Sequence, residues 1–177
     1  MCGCGWVGAF LGMLLLPMAS LAQVDEAILP SPRIMVLAGA VTTDFGEAAA
    51  AGDGSTIGLR MDLPLGTRAI LEPSLERFSL DADSETQVRW QVDFGIRVEM
   101  AAGPVRPYIG GALGALLWPG DKRPTISDFV VATYGGFAGL RYDVSDRIGL
   151  RGEGRRRWLD GLNSSTATFG IGLSWRF

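Results

Sequence analysis

The chain contains no histidine, and its two cysteines, Cys2 and Cys4, both sit at the very start. The missing imidazole removes the commonest general base near neutral pH and the commonest metal ligand, so most hydrolytic and zinc chemistries lose a usual participant. A disulfide between Cys2 and Cys4 cannot staple a fold that lies entirely after them, so stability has to come from backbone pairing and packing. Basic charge is also scarce. Lys and Arg number 16 against 19 Asp and Glu, a net charge of −3, which leaves no surplus cation for a phosphate backbone and argues against nucleic acid as a partner. The apolar run from Trp6 to Pro17 is too short to cross about 30 Å of hydrocarbon as a helix. What the chain does have is 25 glycines and 47% hydrophobic residues in a length of 177, enough for one modest domain.

The early apolar run is read as an address. It is followed by Ala19-Ser20-Leu21-Ala22, with small residues at the two positions a signal peptidase reads before Gln23. Residues 1–22 are therefore taken as a cleavable signal peptide and 23–177 as a single mature domain. Met1 to Gly5 departs from the usual pattern in having no Lys or Arg.

The mature chain alternates with period two. Val88, Trp90, Val92, Phe94, Ile96, Val98 and Met100 are interleaved with Arg89, Gln91, Asp93, Gly95, Arg97 and Glu99, which gives a strand one apolar and one polar face and which no helix satisfies. Ala167, Phe169, Ile171, Leu173, Trp175 and Phe177 repeat the pattern. So do Ile57 to Leu65 against Gly58, Arg60 and Asp62, Ala69 to Leu75 against Glu72, Ser74 and Glu76, Val130 to Tyr142, and Ile148 and Leu150 against Arg151, Glu153 and Arg155. Arg33 to Thr42 and Val105 to Leu117 are strand-like but less cleanly two-faced. These make eight strands and an all-β chain.

The connections alternate in length. Those after the first, third, fifth and seventh strands are read as long and polar, at Thr43–Ser55, Asp81–Glu85, Pro119–Asp128 and Asp160–Ser165. Those after the second, fourth and sixth are short: Gly66-Thr67, Ala101–Pro104 and Asp143–Arg147. Both chain ends then fall on the short-turn side.

With these features the chain resembles the small eight-stranded outer-membrane β-barrels of Gram-negative bacteria, the OmpA-like and OmpX-like transmembrane domains. The final segment from Phe169 to Phe177, with Phe169, Ile171, Leu173, Trp175 and Phe177 in alternation, looks like the signal by which the outer-membrane assembly machinery recognises a last strand. The resemblance implies an eight-stranded antiparallel up-and-down transmembrane barrel in the cell outer membrane. Its implied partners are outer-membrane lipid, lipopolysaccharide and, during biogenesis, that machinery. It implies a monomer without a cofactor.

Physical arguments point the same way. Ten residues at about 3.3 Å each, tilted roughly 40°, rise about 25 Å, the height of a barrel's apolar belt. Closure is required because an open edge in lipid leaves unpaired N–H and C=O groups. Trp90, Trp118 and Trp158 fall at the long-loop ends, and Tyr142, Trp175 and Phe177 at the short-turn ends, as two aromatic girdles would. Alternation alone does not say which face is outside, so a soluble lipocalin-like ligand-binding barrel remains an alternative. Such a barrel would normally carry a following helix, and it would not need Gly58, Gly95, Gly110, Gly114, Gly170 and Gly172 on its polar face.

If that polar face lines a lumen, Arg60, Arg89, Arg97, Arg151, Arg155 and Arg176 meet Asp62, Glu72, Glu76, Asp93, Glu99 and Glu153, with signs in balance. An eight-stranded interior is just filled by side chains, so a paired plug is expected. Fifteen of the sixteen basic residues are Arg, whose planar fork suits bidentate pairing with carboxylates. The alternative use of the lumen is a small pore.

Enzymatic outer-membrane barrels that act on acyl groups use a histidine, which this chain lacks. Asp83-Ser84-Glu85 is better read as a solvated loop tip, and the chain as non-enzymatic, with a structural or surface-interaction role through its loops. Arg77 and Arg156, near the long-loop ends, and Lys122 and Arg123, in the third long loop, are candidate lipopolysaccharide contacts. Asp44, Glu47 and Asp53, and Asp81, Asp83 and Glu85, match no calcium loop, so no metal site is assigned. Pro73 predicts a bulge or slipped register. On the first strand, Ile34, Val36 and Ala38 compete with Met35, Leu37 and Val41 for the lipid face.

Overall fold

The computed structural model describes residues 31–44, 52–82, 85–117, 130–160 and 164–177. Residues 1–22, expected to be a signal peptide, and Trp118, Lys122, Arg123, Glu47, Asp83 and Ser84 lie outside the described residues. Eight strands follow one another: β1 (Arg33–Asp44), β2 (Gly52–Pro64), β3 (Ala69–Ala82), β4 (Glu85–Glu99), β5 (Val105–Leu117), β6 (Val130–Asp143), β7 (Ile148–Leu159) and β8 (Ser164–Arg176). Each pairs antiparallel with its sequence neighbours and β1 with β8, from Arg33↔Arg176 to Asp44↔Ser165, so the sheet closes into a barrel. Closure leaves no strand with an unpaired edge.

The period-two pattern sets the two surfaces. Along β4, Arg89, Gln91, Asp93, Gly95, Arg97 and Glu99 are buried while Trp90, Phe94, Ile96 and Val98 are exposed. Phe94 is 62% exposed, Leu113 63% and Phe169 68%. An apolar belt of this kind is stable only where acyl chains cover it. The greasy side chains point out and the charged ones in, the reverse of a lipocalin-like barrel. Gly58, Gly95, Gly110, Gly114, Gly170 and Gly172 all fall on the inward face, as expected for a crowded lumen.

Three expectations need correcting. The second long loop, Asp81–Glu85, is largely strand, since Asp81↔Thr86 and Ala82↔Glu85 extend the β3–β4 ladder and leave only residues 83–84 between them. Asp81 and Thr86 thus belong to strand ends, and both are exposed. The length asymmetry holds at 45–51 and 118–129, whereas 160–163 is no longer than the turn 65–68.

Pro73 causes neither a bulge nor a slip. Glu72↔Gly95, Pro73↔Phe94 and Ser74↔Asp93 run unbroken, and on the other side Arg60↔Ser74 and Leu63↔Leu71 keep one register. The β2–β3 pairs are missing between those two, which is where the absent proline donor falls.

The inward signs do not balance as expected. Arg33, Arg106, Arg141 and Arg157 also turn inward, against the single further acid Asp143. Arg141, Asp143 and Arg157 lie on the inward parity of strands whose outward residues the sequence had identified, whereas Arg33 and Arg106 lie on the two strands whose faces alternation left unclear.

The first strand resolves in favour of Ile34, Val36 and Ala38 on the lipid side, with Met35, Leu37 and Val41 each 1% exposed inside. Their space comes from β8: a Cβ on Gly172 would lie 2.8 Å from the Met35 sulfur, and one on Gly170 2.9 Å from a Leu37 methyl.

Candidate functional site

The lumen is built in three layers, each set by which residue falls on the inward parity of its strand. The central layer is ionic. Arg60 from β2, Arg97 from β4, and Arg151, Arg155 and Arg157 from β7 face Asp62, Glu72, Glu76, Asp93 and Glu153. Glu72, on β3, takes hydrogen bonds from four guanidinium groups: Arg60 (3.3 Å), Arg97 (2.5 Å), Arg151 (2.6 Å) and Arg155 (2.6 Å). Glu76 accepts from Arg60 at 2.5 Å and Arg157 at 2.8 Å. Asp93 accepts from Arg155 at 3.1 Å and from Arg157 Nε and Nη2 at 2.9 and 2.7 Å. Glu153 is held by Arg60, Arg151, Arg155 and the Tyr108 hydroxyl.

Guanidinium planes also lie against rings, with Arg151 4.5 Å from the Tyr108 centroid and Arg155 4.2 Å from that of Phe137. Stripping a charge of water costs several kcal/mol, which only such multiple, geometrically good pairing offsets. The glycines make the room. A Cβ on Gly114 would come 2.2 Å from Asp93 Oδ1, and one on Gly110 2.4 Å from Phe137.

Toward the long-loop end the lumen turns apolar: Val41, Phe78, Leu80, Leu116 and Leu159 form one buried cluster, with Val131 packed against it. Arg89, buried beside this layer, donates to Gln87 on its own strand. Toward the short-turn end, Glu99 pairs with Arg141 and with Arg106 (3.3 Å), and Asp143 with Arg33 (2.9 Å), Arg106 (3.5 Å) and Arg141 (3.4 Å).

The expected lumen residues thus divide. Arg60, Asp62, Glu72, Glu76, Asp93, Arg97, Arg151, Glu153 and Arg155 meet in one network. Glu99 belongs to the short-turn mouth, where Arg97 reaches it at 3.5 Å. Arg89 lies higher, and Arg176, partly buried at the mouth, is in no ion pair among the described residues. Sequence reasoning missed Arg157, Arg141, Arg33, Arg106 and Tyr108, although strand parity already placed the first two. It also missed the apolar layer.

On the outer wall, Arg77 stands opposite Trp90 in the β3–β4 ladder and donates to Ser79 at 3.0 Å. Arg156 lies 5.5 Å over the Trp158 ring. Below Arg156 a shallow groove of about 630 Å³ is lined by small residues, including Gly136, Ala138, Gly154 and Ala167, beside Phe169. Trp90 and Trp158 at one end, and Tyr142, Trp175 and Phe177 at the other, are exposed outward. Phe169, Ile171 and Leu173 continue that face along β8. Among the described residues, Asp44, Asp53 and Asp81 enter no cluster of three metal-ligating side chains.

A family model described as the outer membrane protein beta-barrel domain matches residues 9–177. No curated protein matches the chain. Several solved structures share its fold. Neisserial surface protein A is 15% identical with a TM-score of 0.64, the match covering 82% of this chain and 97% of that one. Ail, the attachment invasion locus protein of Yersinia pestis, is 12% identical with a TM-score of 0.54, covering 85% and 100%. The outer membrane enzyme PagL is 12% identical with a TM-score of 0.55, covering 80% and 99%. Closed topology, an apolar exterior, a charged interior and a family match over nearly the whole length converge: the chain belongs to the outer membrane protein beta-barrel domain family and resides in the Gram-negative outer membrane.

Proposed function

We propose that the protein is a monomeric, non-enzymatic barrel that works through its outer surface, as a structural element of the envelope and a platform for surface interaction. The observation that carries this reading is the filled lumen. The central carboxylates Glu72, Glu76 and Glu153 are at most 3% exposed, and the apolar cluster around Phe78 and Leu116 lies above them. Neither layer leaves polar surface free to guide a solute, which disfavours the pore. The absence of histidine removes the usual activator of a serine nucleophile, and the likeness to PagL is one of fold alone.

Outside the lumen, the features suited to recognition are the long-loop rim and the belt below it. Arg77 and Arg156 each sit next to a tryptophan at that rim, where a guanidinium meets lipid phosphates while its stem lies along apolar surface. In this reading both contact lipopolysaccharide, with an acyl chain in the groove beneath Arg156, and Lys122 and Arg123 add to the same rim. The terminal face Phe169, Ile171, Leu173, Trp175 and Phe177 serves as the recognition strand for the assembly machinery.

The test is lipopolysaccharide affinity of the refolded barrel. Each rim cation contributes about 1 kcal/mol near an anionic surface, so an Arg77→Ala/Arg156→Ala variant should bind roughly thirtyfold more weakly. Unchanged affinity overturns the lipid contact. Release of acyl chains from lipopolysaccharide that is lost in Ser84→Ala overturns the non-enzymatic reading.

A further inference from the structure

The ionic layers of the lumen differ in charge balance. In the central layer Arg60, Arg97, Arg151, Arg155 and Arg157 are matched one for one by Asp62, Glu72, Glu76, Asp93 and Glu153. At the short-turn mouth, among the described residues, Arg33, Arg106, Arg141 and Arg176 face Glu99 and Asp143, two more cations than acids.

The geometry sharpens the imbalance. Arg33 and Arg176 are direct cross-strand partners on β1 and β8, both on the inward parity, and like charges in that position repel. Asp62 stands opposite Arg33 on the other side, but both its oxygens are engaged by Arg97 at 2.7 Å. Arg33 is 2% exposed, and its Nη2 has no hydrogen-bond partner. Nε of Arg141 and Nε of Arg176 are likewise buried and unpartnered. Buried guanidinium donors of this kind are costly unless an acceptor meets them.

We infer that the short-turn mouth of the barrel binds a phosphate oxyanion, held by Arg33, Arg141 and Arg176. A phosphate group carries about 1.5 to 2 negative charges and three strong acceptor oxygens. That matches both the surplus charge and the unpartnered donors of this mouth, and Arg forks suit it. The same chemistry is offered by free phosphate in the periplasm and by the headgroup of an anionic phospholipid in the inner leaflet, which this end of the barrel reaches. The inference concerns the opposite end from the lipopolysaccharide rim and stands independently of it.

The test uses the full mature chain refolded into nanodiscs, with heat-modifiable migration checked for every variant. In phosphatidylcholine discs at constant ionic strength, inorganic phosphate should broaden its own ³¹P resonance saturably. It should also raise the thermal midpoint by about 3 °C at ten times the dissociation constant, relative to chloride. Arg176→Gln, at a partly buried position, should weaken the affinity at least tenfold, and Arg33→Gln should do the same where it folds. In a second arm, discs with phosphatidylglycerol and no added phosphate should show the rise without titrant if a headgroup is the natural ligand. A rise confined to the first arm assigns the site to soluble phosphate. No response to either source, or equal responses from the wild type and Arg176→Gln, overturns the site.

Discussion

Arg97 of β4 and Asp62 of β2 meet across the lumen side of the strand between them, with Nη1 on Oδ1 and Nη2 on Oδ2, both at 2.7 Å. This two-point grip ties together strands that share no ladder. Asp62→Ala removes it and leaves a buried guanidinium short of its acid, a change that typically costs about 3–5 kcal/mol. Urea unfolding of the barrel in lipid should show a loss of that size. The double variant Arg97→Met/Asp62→Leu should recover part of it, because the apolar pair carries no desolvation cost while Glu72, which also loses Arg97, keeps Arg60, Arg151 and Arg155. A double variant as unstable as Asp62→Ala would mean the pair does more than satisfy itself.

The glycines of the two faces should behave oppositely. A methyl on Gly110 would come within 2.4 Å of Phe137 and 2.6 Å of the Ile96 carbonyl, while one on Gly152, on the lipid side, meets nothing within 4 Å. Gly110→Ala should therefore destabilise the barrel by about 1–3 kcal/mol. Gly152→Ala should be neutral or slightly stabilising through the unfolded chain. Equal effects in the same unfolding assay would contradict the inward placement of Gly110.

That contrast also shows what was readable from sequence. The eight strands, their faces and the paired lumen follow from alternation in β2, β4, β7 and β8, where a charged, uncharged polar or glycine residue recurs at nearly every second position. β1 was ambiguous because both of its faces are apolar, and only the glycines opposite it in β8 make room for Met35 and Leu37 inside. Arg157 lies in the run Arg155-Arg156-Arg157, whose continuous charge masks the alternation, and its place beside Asp93 and Glu76 follows from counting parity from Arg151. The second loop was misjudged because strand ends above the membrane are as polar as turns. The apolar layer gave no local signal, since Phe78, Leu116 and Leu159 come together only when the barrel closes.

The depth of the lipid belt gives a third test. Phe94 lies near mid-strand, facing out beside Leu113, and Val105 lies at the short-turn end of β5. Phe94→Arg should cost about 2–4 kcal/mol and Val105→Arg no more than about 1 kcal/mol, the usual fall from midplane to interface. A reversed order would misplace the membrane along the strands.

Spin labels report the two wall faces more directly. A label at Ile171, which is 67% exposed, should collide with oxygen dissolved in the acyl region and be shielded from aqueous relaxation agents. The reverse pattern would put that face in water.

The account turns on a lumen that is shut by ion pairs below and apolar side chains above. Planar-bilayer recording of the purified, refolded protein tests this most directly. The account predicts a flat current with no defined steps. Reproducible unitary conductance that shifts when Glu72 is replaced by Gln would show that ions pass through the network, and would contradict it.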